Sequence, residues 1–166
     1  FGIFFAGLYG TTLGYTHAGL FYTISAVSMI IIRMVSKHFM DTVPAIKTMT
    51  GAVACGILCC LMLLAAPYGE PVFLASGIFY GLVTGISLPL NQSVAVKNTP
   101  PARWGTANAL FLLANDIGIG FASVIWGVIN DSFGFQTSIV CVIVCLIASY
   151  ASAWIVYPAR DKRWRH

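Results

Sequence analysis

The chain has 166 residues, of which 58% are hydrophobic and 8% charged, with a formal net charge of +4. A soluble domain carries roughly 25% charged residues, so a membrane protein is expected rather than a soluble enzyme, a zinc module or a disulfide-stapled secreted domain. At about 20 apolar residues per crossing, a chain of this length holds about five or six helices and little else.

Apolar stretches bounded by Gly, Pro or charge run over 1–9, 18–35, 44–66, 72–96, 105–130 and 136–157. Each complete one is too long for a soluble strand, and lipid demands an internally paired backbone, so each is predicted to be a spanning helix. The first begins at Phe1 with no basic region and no cleavage signature, unlike a signal peptide. It reads as the outer half of a helix, and the chain as a fragment of a longer protein. The expected connections are Tyr9–His17, Ser36–Val43, Pro67–Pro71, Lys97–Trp104 and Asn130–Phe135. The bundle is thus expected over 1–157, with a tail from Pro158 to His166.

The nine Lys and Arg residues alternate between connections. Arg33, Lys37 and Lys47 surround the second, Lys97 and Arg103 mark the fourth, and Arg160, Lys162, Arg163 and Arg165 fill the tail. The first, third and fifth connections have none. If the chain crosses at every span, all basic residues share one side, which the positive-inside rule makes cytoplasmic, C-terminus included. The positive charge is then a topology signal and no pointer to nucleic acid. Trp104, Trp154, Tyr157 and Tyr68 fall at the predicted interfaces, where amphipathic rings are favoured.

The sequence has no phosphate-binding Gly-rich loop, no HExxH and no paired intramembrane carboxylates. His17, His38 and His166 are far apart, and Cys55, Cys59, Cys60, Cys141 and Cys145 lie in spans without an accompanying His. Packing is their expected role, with no metal and no cofactor. Asp116 is different. Counted from Gly105 at about 1.5 Å per residue, it lies about 16 Å into a hydrocarbon layer about 30 Å thick, close to the midplane. A carboxylate there costs about 2.5–3.5 kcal/mol on insertion scales, so it is expected to be protonated, paired or facing water. Asp116, Gly120, Ser123, Gly127 and Asp131 recur at i, i+4, i+7, i+11 and i+15, a stripe along which another helix can approach closely, with Asn115 on its flank. Two roles are open for Asp116: a proton-titrating or substrate-contacting carboxylate, or a hydrogen-bonding group between helices.

In the span 72–96, Tyr80, Thr84, Ser87 and Asn91 lie at i, i+4, i+7 and i+11, within about 60° of one another. Such a polar stripe lines either an aqueous cavity or a helix contact, because lipid offers no hydrogen bonds. Gln92 lies beside it, and Gly81, Gly85 and Pro89 permit close packing or bending.

Gly85 and Pro89 precede a basic connection, Pro100-Pro101-Ala102-Arg103-Trp104-Gly105-Thr106-Ala107-Asn108. Then come Asp116-Ile117-Gly118-Ile119-Gly120, Gly127, Asp131 and Gly134; near the second connection Arg33 and Asp41 stand eight residues apart. In this order the motifs resemble the C-terminal half of a major facilitator superfamily transporter, of the drug:proton antiporter and sugar-efflux-like branch. Lys37 and Pro44 stand where the motif of the second junction has glycines.

The resemblance implies an all-α integral membrane fold, a six-helix bundle with its first helix incomplete, forming half of a twelve-helix major facilitator fold. It implies a secondary active transporter of a small organic solute in the cell membrane, working by alternating access, with proton-coupled efflux as the expected mode. Tyr80, Thr84, Ser87 and Asn91 would then line the substrate cavity. Gly120, Ser123 and Gly127 would pack at the interface between halves, with Asp116 and Asn115 coupling protons or bonding between helices. Arg33, Asp41 and Arg103 would form a cytoplasmic gating motif. The implied partners are membrane lipid, a small-molecule substrate, protons and a missing N-terminal six-helix half, without nucleic acid. A non-transporting membrane scaffold or assembly subunit is the alternative, since close-packing glycine faces would suffice for it; an enzyme is not expected.

Overall fold

The computed structural model describes the backbone of residues 2–42, 45–97 and 99–161, and their side chains except those of 3, 37–42, 97 and 155–161. The regular structure of the described residues is helical: α1 (Gly2–Thr12), α2 (Leu20–Thr42), α3 (Ala45–Leu64), α4 (Glu70–Lys97) and α5 (Trp104–Asp161). Short 3-10 turns occupy Ala66–Tyr68 and Pro101–Arg103. Three helical stretches, Ala45–Leu64, Glu70–Val96 and Pro101–Trp154, are long and apolar enough to cross a membrane. The chain is a multi-pass, all-α membrane protein.

Apolar sequence dictates helices here because only bonding within the segment satisfies the backbone in lipid. Hydroxyl groups are handled in the same way. Ser25 Oγ donates to the Phe21 carbonyl at 2.6 Å, Thr50 Oγ1 to Ile46 at 2.8 Å, Ser76 Oγ to Phe73 at 2.6 Å and Thr137 Oγ1 to Phe133 at 2.9 Å. Each of these protons is held by a carbonyl three or four residues earlier in the chain before any neighbouring helix is needed.

The connections at one end are tied together. α1 stops at a Schellman cap, in which Gly14 at φ 80° lets the Tyr15 N–H reach the Gly10 carbonyl at 3.1 Å and its own N–H reach Thr11 at 3.0 Å. The Tyr15 hydroxyl then donates to the Ala66 carbonyl, and the His17 N–H donates to the Glu70 carboxylate at 3.1 Å. Glu70 also opens α4 against the positive end of that helix, with Pro71 in the first turn where its missing N–H costs little.

Unbroken, the 58 residues of α5 would extend about 87 Å, almost three times a hydrocarbon layer of about 30 Å. Gly134, at φ 81° and ψ 169°, interrupts it and separates a first leg, 104–133, from a second, 135–161. A connection was expected over Asn130–Phe135, but the helix runs to Phe133 and resumes at Phe135. Glycine alone occupies that backbone region readily, so one residue makes the break. Ser36–Thr42, also expected as a connection, continue α2.

The two legs run in opposite directions. Asn108 of the first leg meets Gln92 near the end of α4, and Gly127 faces the Phe5 ring of α1. Phe135 then packs on Tyr9, Leu146 covers Gly56, and the Tyr150 hydroxyl bonds Thr50 Oγ1 at 2.9 Å, which carries the second leg down α3. Helices therefore alternate up and down, with the α1–α2 turn, the Ala66–Tyr68 turn and Gly134 at one end. Arg33, Lys37, Lys47, Lys97, Arg103 and Arg160 all lie toward the other, the basic end.

Two buried clusters hold the bundle. At the Gly134 end, the Phe21 and Phe73 rings stack with centroids 5.2 Å apart, among Ala6, Cys59, Leu63 and Ile139. Met49, Val53, Leu90 and Ala153 form a smaller cluster toward the basic end. All five cysteines are free, and the Cys59 thiol lies 3.4 Å from the Ser76 carbonyl oxygen.

Candidate functional site

α4 carries two ridges, set roughly 90° apart around its axis. Gly77, Gly81 and Gly85 form the first and lie on α2. A β-carbon at Gly77 would stand 2.9 Å from the Phe21 carbonyl oxygen; one at Gly81 would strike the Ser25 carbonyl, and one at Gly85 the Ile32 side chain. Glycine is what lets these backbones approach so closely. Ser28 of α2 uses the proximity, donating across the helices to the Ile78 carbonyl at 2.9 Å.

The second ridge is the polar stripe, whose members Tyr80, Thr84, Ser87 and Asn91 are all half-buried. Tyr80 sits highest, against Gly2 of α1 and with its ring 5.7 Å from that of Phe21. Thr84 Oγ1 lies 2.9 Å from the Tyr80 carbonyl and 3.2 Å from that of Gly81, so its own helix holds the hydroxyl proton and its lone pairs remain able to accept. Asn91 is engaged with a neighbour. Gly2, where the described part of α1 begins, is level with Tyr80, so Thr84, Ser87 and Asn91 continue past it toward the basic end. Within this stretch Pro89 has no N–H for the Gly85 carbonyl, and α4 lacks one rung of its hydrogen-bond ladder there.

Asp116 is exposed on the first leg of α5, and Asn115 beside it is half-buried. The rest of its stripe is largely open. A β-carbon at Gly120 would meet nothing within 4 Å, Ser123 Oγ donates to the Gly120 carbonyl at 2.7 Å, and Gly127 faces Phe5 of α1. The same leg exposes Leu113, Phe121, Val124 and Val128, each by more than half: 55%, 70%, 67% and 61%. Among the described residues, then, no helix lies over Gly120, and Asp116 is not brought into the core.

Arg33 and Arg103 are exposed, while the side chain of Asp41 lies outside the described residues. The structure does bring together Gln92 and Asn108: the Gln92 amide donates to Asn108 Oδ1 and links α4 to the first leg across the basic turn. In the same turn the Trp104 indole N–H donates to the Thr99 carbonyl at 2.9 Å. Nothing in the spacing pairs Gln92 with Asn108; the only signal is an amide on each side of one short connection. Among the described residues no cluster of His, Cys, Asp or Glu is arranged to hold a metal.

A multi-pass helical bundle with a polar stripe on a proline-interrupted helix defines a polytopic membrane protein, consistent with transport. Over residues 1–166 the sequence matches the family described as the Major Facilitator Superfamily. The chain belongs to that superfamily, a family of transporters and not of enzymes. A relative, the staphylopine export protein of Staphylococcus aureus (strain Mu50 / ATCC 700699), is 26% identical over 162 residues. That similarity covers 93% of this chain, which spans 41% of the relative's length. No solved structure matches the chain.

Proposed function

We propose that the chain is the C-terminal six-helix half of a twelve-helix secondary transporter, which exports a small organic solute through a site exposed alternately to either side of the cell membrane. The polar stripe of α4 carries this proposal. α4 turns its glycine ridge to α2 and packs Leu90 with Met49 and Val53 of α3, and the stripe lies between those two contacts. Its groups are neither core nor fully exposed, and a hydrated cavity near mid-membrane supplies the partners that lipid withholds. A relative described as an export protein supports the direction, and its greater length supports a second half beyond this chain. The break at Gly134 supports six helices, because it turns α5 into two antiparallel legs. The gathering of basic residues supports a cytoplasmic basic end and C-terminus, where Arg33, Asp41 and Arg103 would act in gating.

Asp116 is assigned to proton coupling. Its exposure near mid-membrane, on a leg with an open small-residue stripe, supports a surface that meets the other half and a carboxylate that gains and loses a proton as the halves move. Replacing Asp116 with Asn is expected to abolish solute flux driven by a pH gradient while leaving folded protein in the membrane. Unchanged gradient-driven flux would remove Asp116 from that role.

A non-transporting scaffold needs only the glycine ridges and leaves the stripe dry. The two separate on thiol chemistry in the full-length protein without its native cysteines. The Thr84→Cys variant is expected to react with a water-soluble thiol reagent several-fold faster than Ile78→Cys, whose position on the far side of α4 is 45% exposed on the surface of the bundle. Equal rates at the two positions would favour the scaffold.

A further inference from the structure

A second polar cluster lies at the Gly134 end, away from the α4 stripe. Tyr9 of α1 is 4% exposed and Asn130 of the first leg 9%. Among the described residues neither amide atom of Asn130 has a hydrogen-bond partner, and the buried Tyr9 hydroxyl is left to the Gln136 side chain. The two residues lie at one level of the bundle. A β-carbon at Gly127 would stand 3.8 Å from the Phe5 ring, Asn130 is one turn beyond Gly127, and Tyr9 is one turn beyond Phe5. Because α1 and the first leg run in the same direction, those two steps keep Asn130 level with Tyr9. Across the break, Phe135 packs on the Tyr9 ring with centroids 5.2 Å apart, and the Gln136 side chain stands near the Tyr9 hydroxyl. Gln136 is exposed, so the cluster has a wet rim at this end.

The chemistry of these groups specifies what they hold. An amide offers two donors and an acceptor and a phenol offers one of each, so the occupant must donate and accept at once. None of the three side chains is charged, so a neutral occupant leaves no buried charge uncompensated; Asp131, next in sequence, is exposed and directed elsewhere by its place on the helix. Buried polar groups without a protein partner are met by ordered water, which needs two to four such partners. We propose that Tyr9 and Asn130, with Gln136 at the rim, form an internal water-binding site that joins α1 to the hairpin made by the two legs of α5. A water held by neutral groups makes a joint that breaks and re-forms as α1 moves against the hairpin, each partner exchanging with bulk water through the Gln136 side. The site is independent of the coupling role assigned to Asp116, which lies fourteen residues, or about 21 Å, down the first leg.

Hydroxyl-radical footprinting of the full-length protein in lipid nanodiscs tests it, because X-rays generate radicals wherever water sits. After correction for intrinsic reactivity, Tyr9 is expected to be oxidised several-fold faster than Phe73, which is 0% exposed and lies in the apolar cluster at the same end. Asn130→Leu, similar in volume and without polar atoms, is expected to bring the Tyr9 rate down to that of Phe73. Gln136→Leu is expected to lower it too, and decides the matter should Asn130→Leu not fold. A Tyr9 rate no greater than that of Phe73, or one unchanged in the folded variants, would overturn the site.

Discussion

What a methyl group would meet separates the glycines of this chain. At Gly81 it would strike the Ser25 carbonyl of α2, whereas at Gly51, on the exposed side of α3, it would meet nothing within 4 Å. Gly81→Ala is therefore expected to lower stability by about 1–3 kcal/mol, because two packed backbones must move apart. Gly51→Ala is expected to be neutral or to stabilise by up to about 1 kcal/mol through helix propensity. Denaturant unfolding of the purified full-length protein reads both, and a Gly81→Ala protein as stable as its parent would mean that α2 and α4 do not pack through this ridge. Gly81 and Gly85 were legible as close-packing positions, but the choice of α2 as their partner was not, since spacing defines a face and not what covers it. Asn130 shows the same limit. Its place beside Asp131 and ahead of Gly134 reads as the start of a loop, and only the fold reveals that it is buried.

At the scale of elements, the helices follow from apolar length alone, because lipid leaves the backbone no alternative. Their ends do not. α2 continues through Ser36–Thr42 although that segment is largely polar, since Lys, Met and the residues between them are compatible with a helix that leaves the apolar layer. α5 ignores the polar run Asn130–Ser132 for the same reason and breaks at Gly134 alone. That break has a sharp consequence. Its dihedral angles, φ 81° and ψ 169°, are strained for any residue with a β-carbon, by about 1–3 kcal/mol. Gly134→Ala is expected to lose that much stability and to reduce the yield of folded protein. Gly118→Ala, on the first leg with open space around it, is expected to leave the isolated fold unaffected. Equal stability of the two variants, read by thermal unfolding, would show that the hairpin is not turned at Gly134.

For the whole molecule, the distribution of charge and the topology agree. The three connections at the Gly134 end carry no Lys or Arg, and they are held together by the Tyr15 bond to Ala66, the His17 bond to Glu70 and the packing of Tyr9 on Phe135. The basic residues among the described ones occupy the opposite end, so the alternation seen along the sequence is a polarity of the bundle. The candidate site was partly legible at this scale. The stripe of α4 stands out as a face of hydroxyls and an amide in an apolar helix, yet its position between the α2 and α3 contacts depends on packing that no single helix encodes. Asp116 stands out by the cost of a carboxylate in lipid, while its exposure on the bundle surface depends on where the first leg comes to lie.

Alternating access through the α4 stripe is the central claim, and Ser87 tests it most directly. A single cysteine at Ser87, in full-length protein without its native cysteines, is to be treated with a membrane-impermeant thiol reagent in right-side-out and in inside-out vesicles. Reaction in both preparations, slowed in each by saturating transported solute, is the predicted result. Reaction in only one preparation, or in neither, would contradict a site that opens to both sides of the membrane.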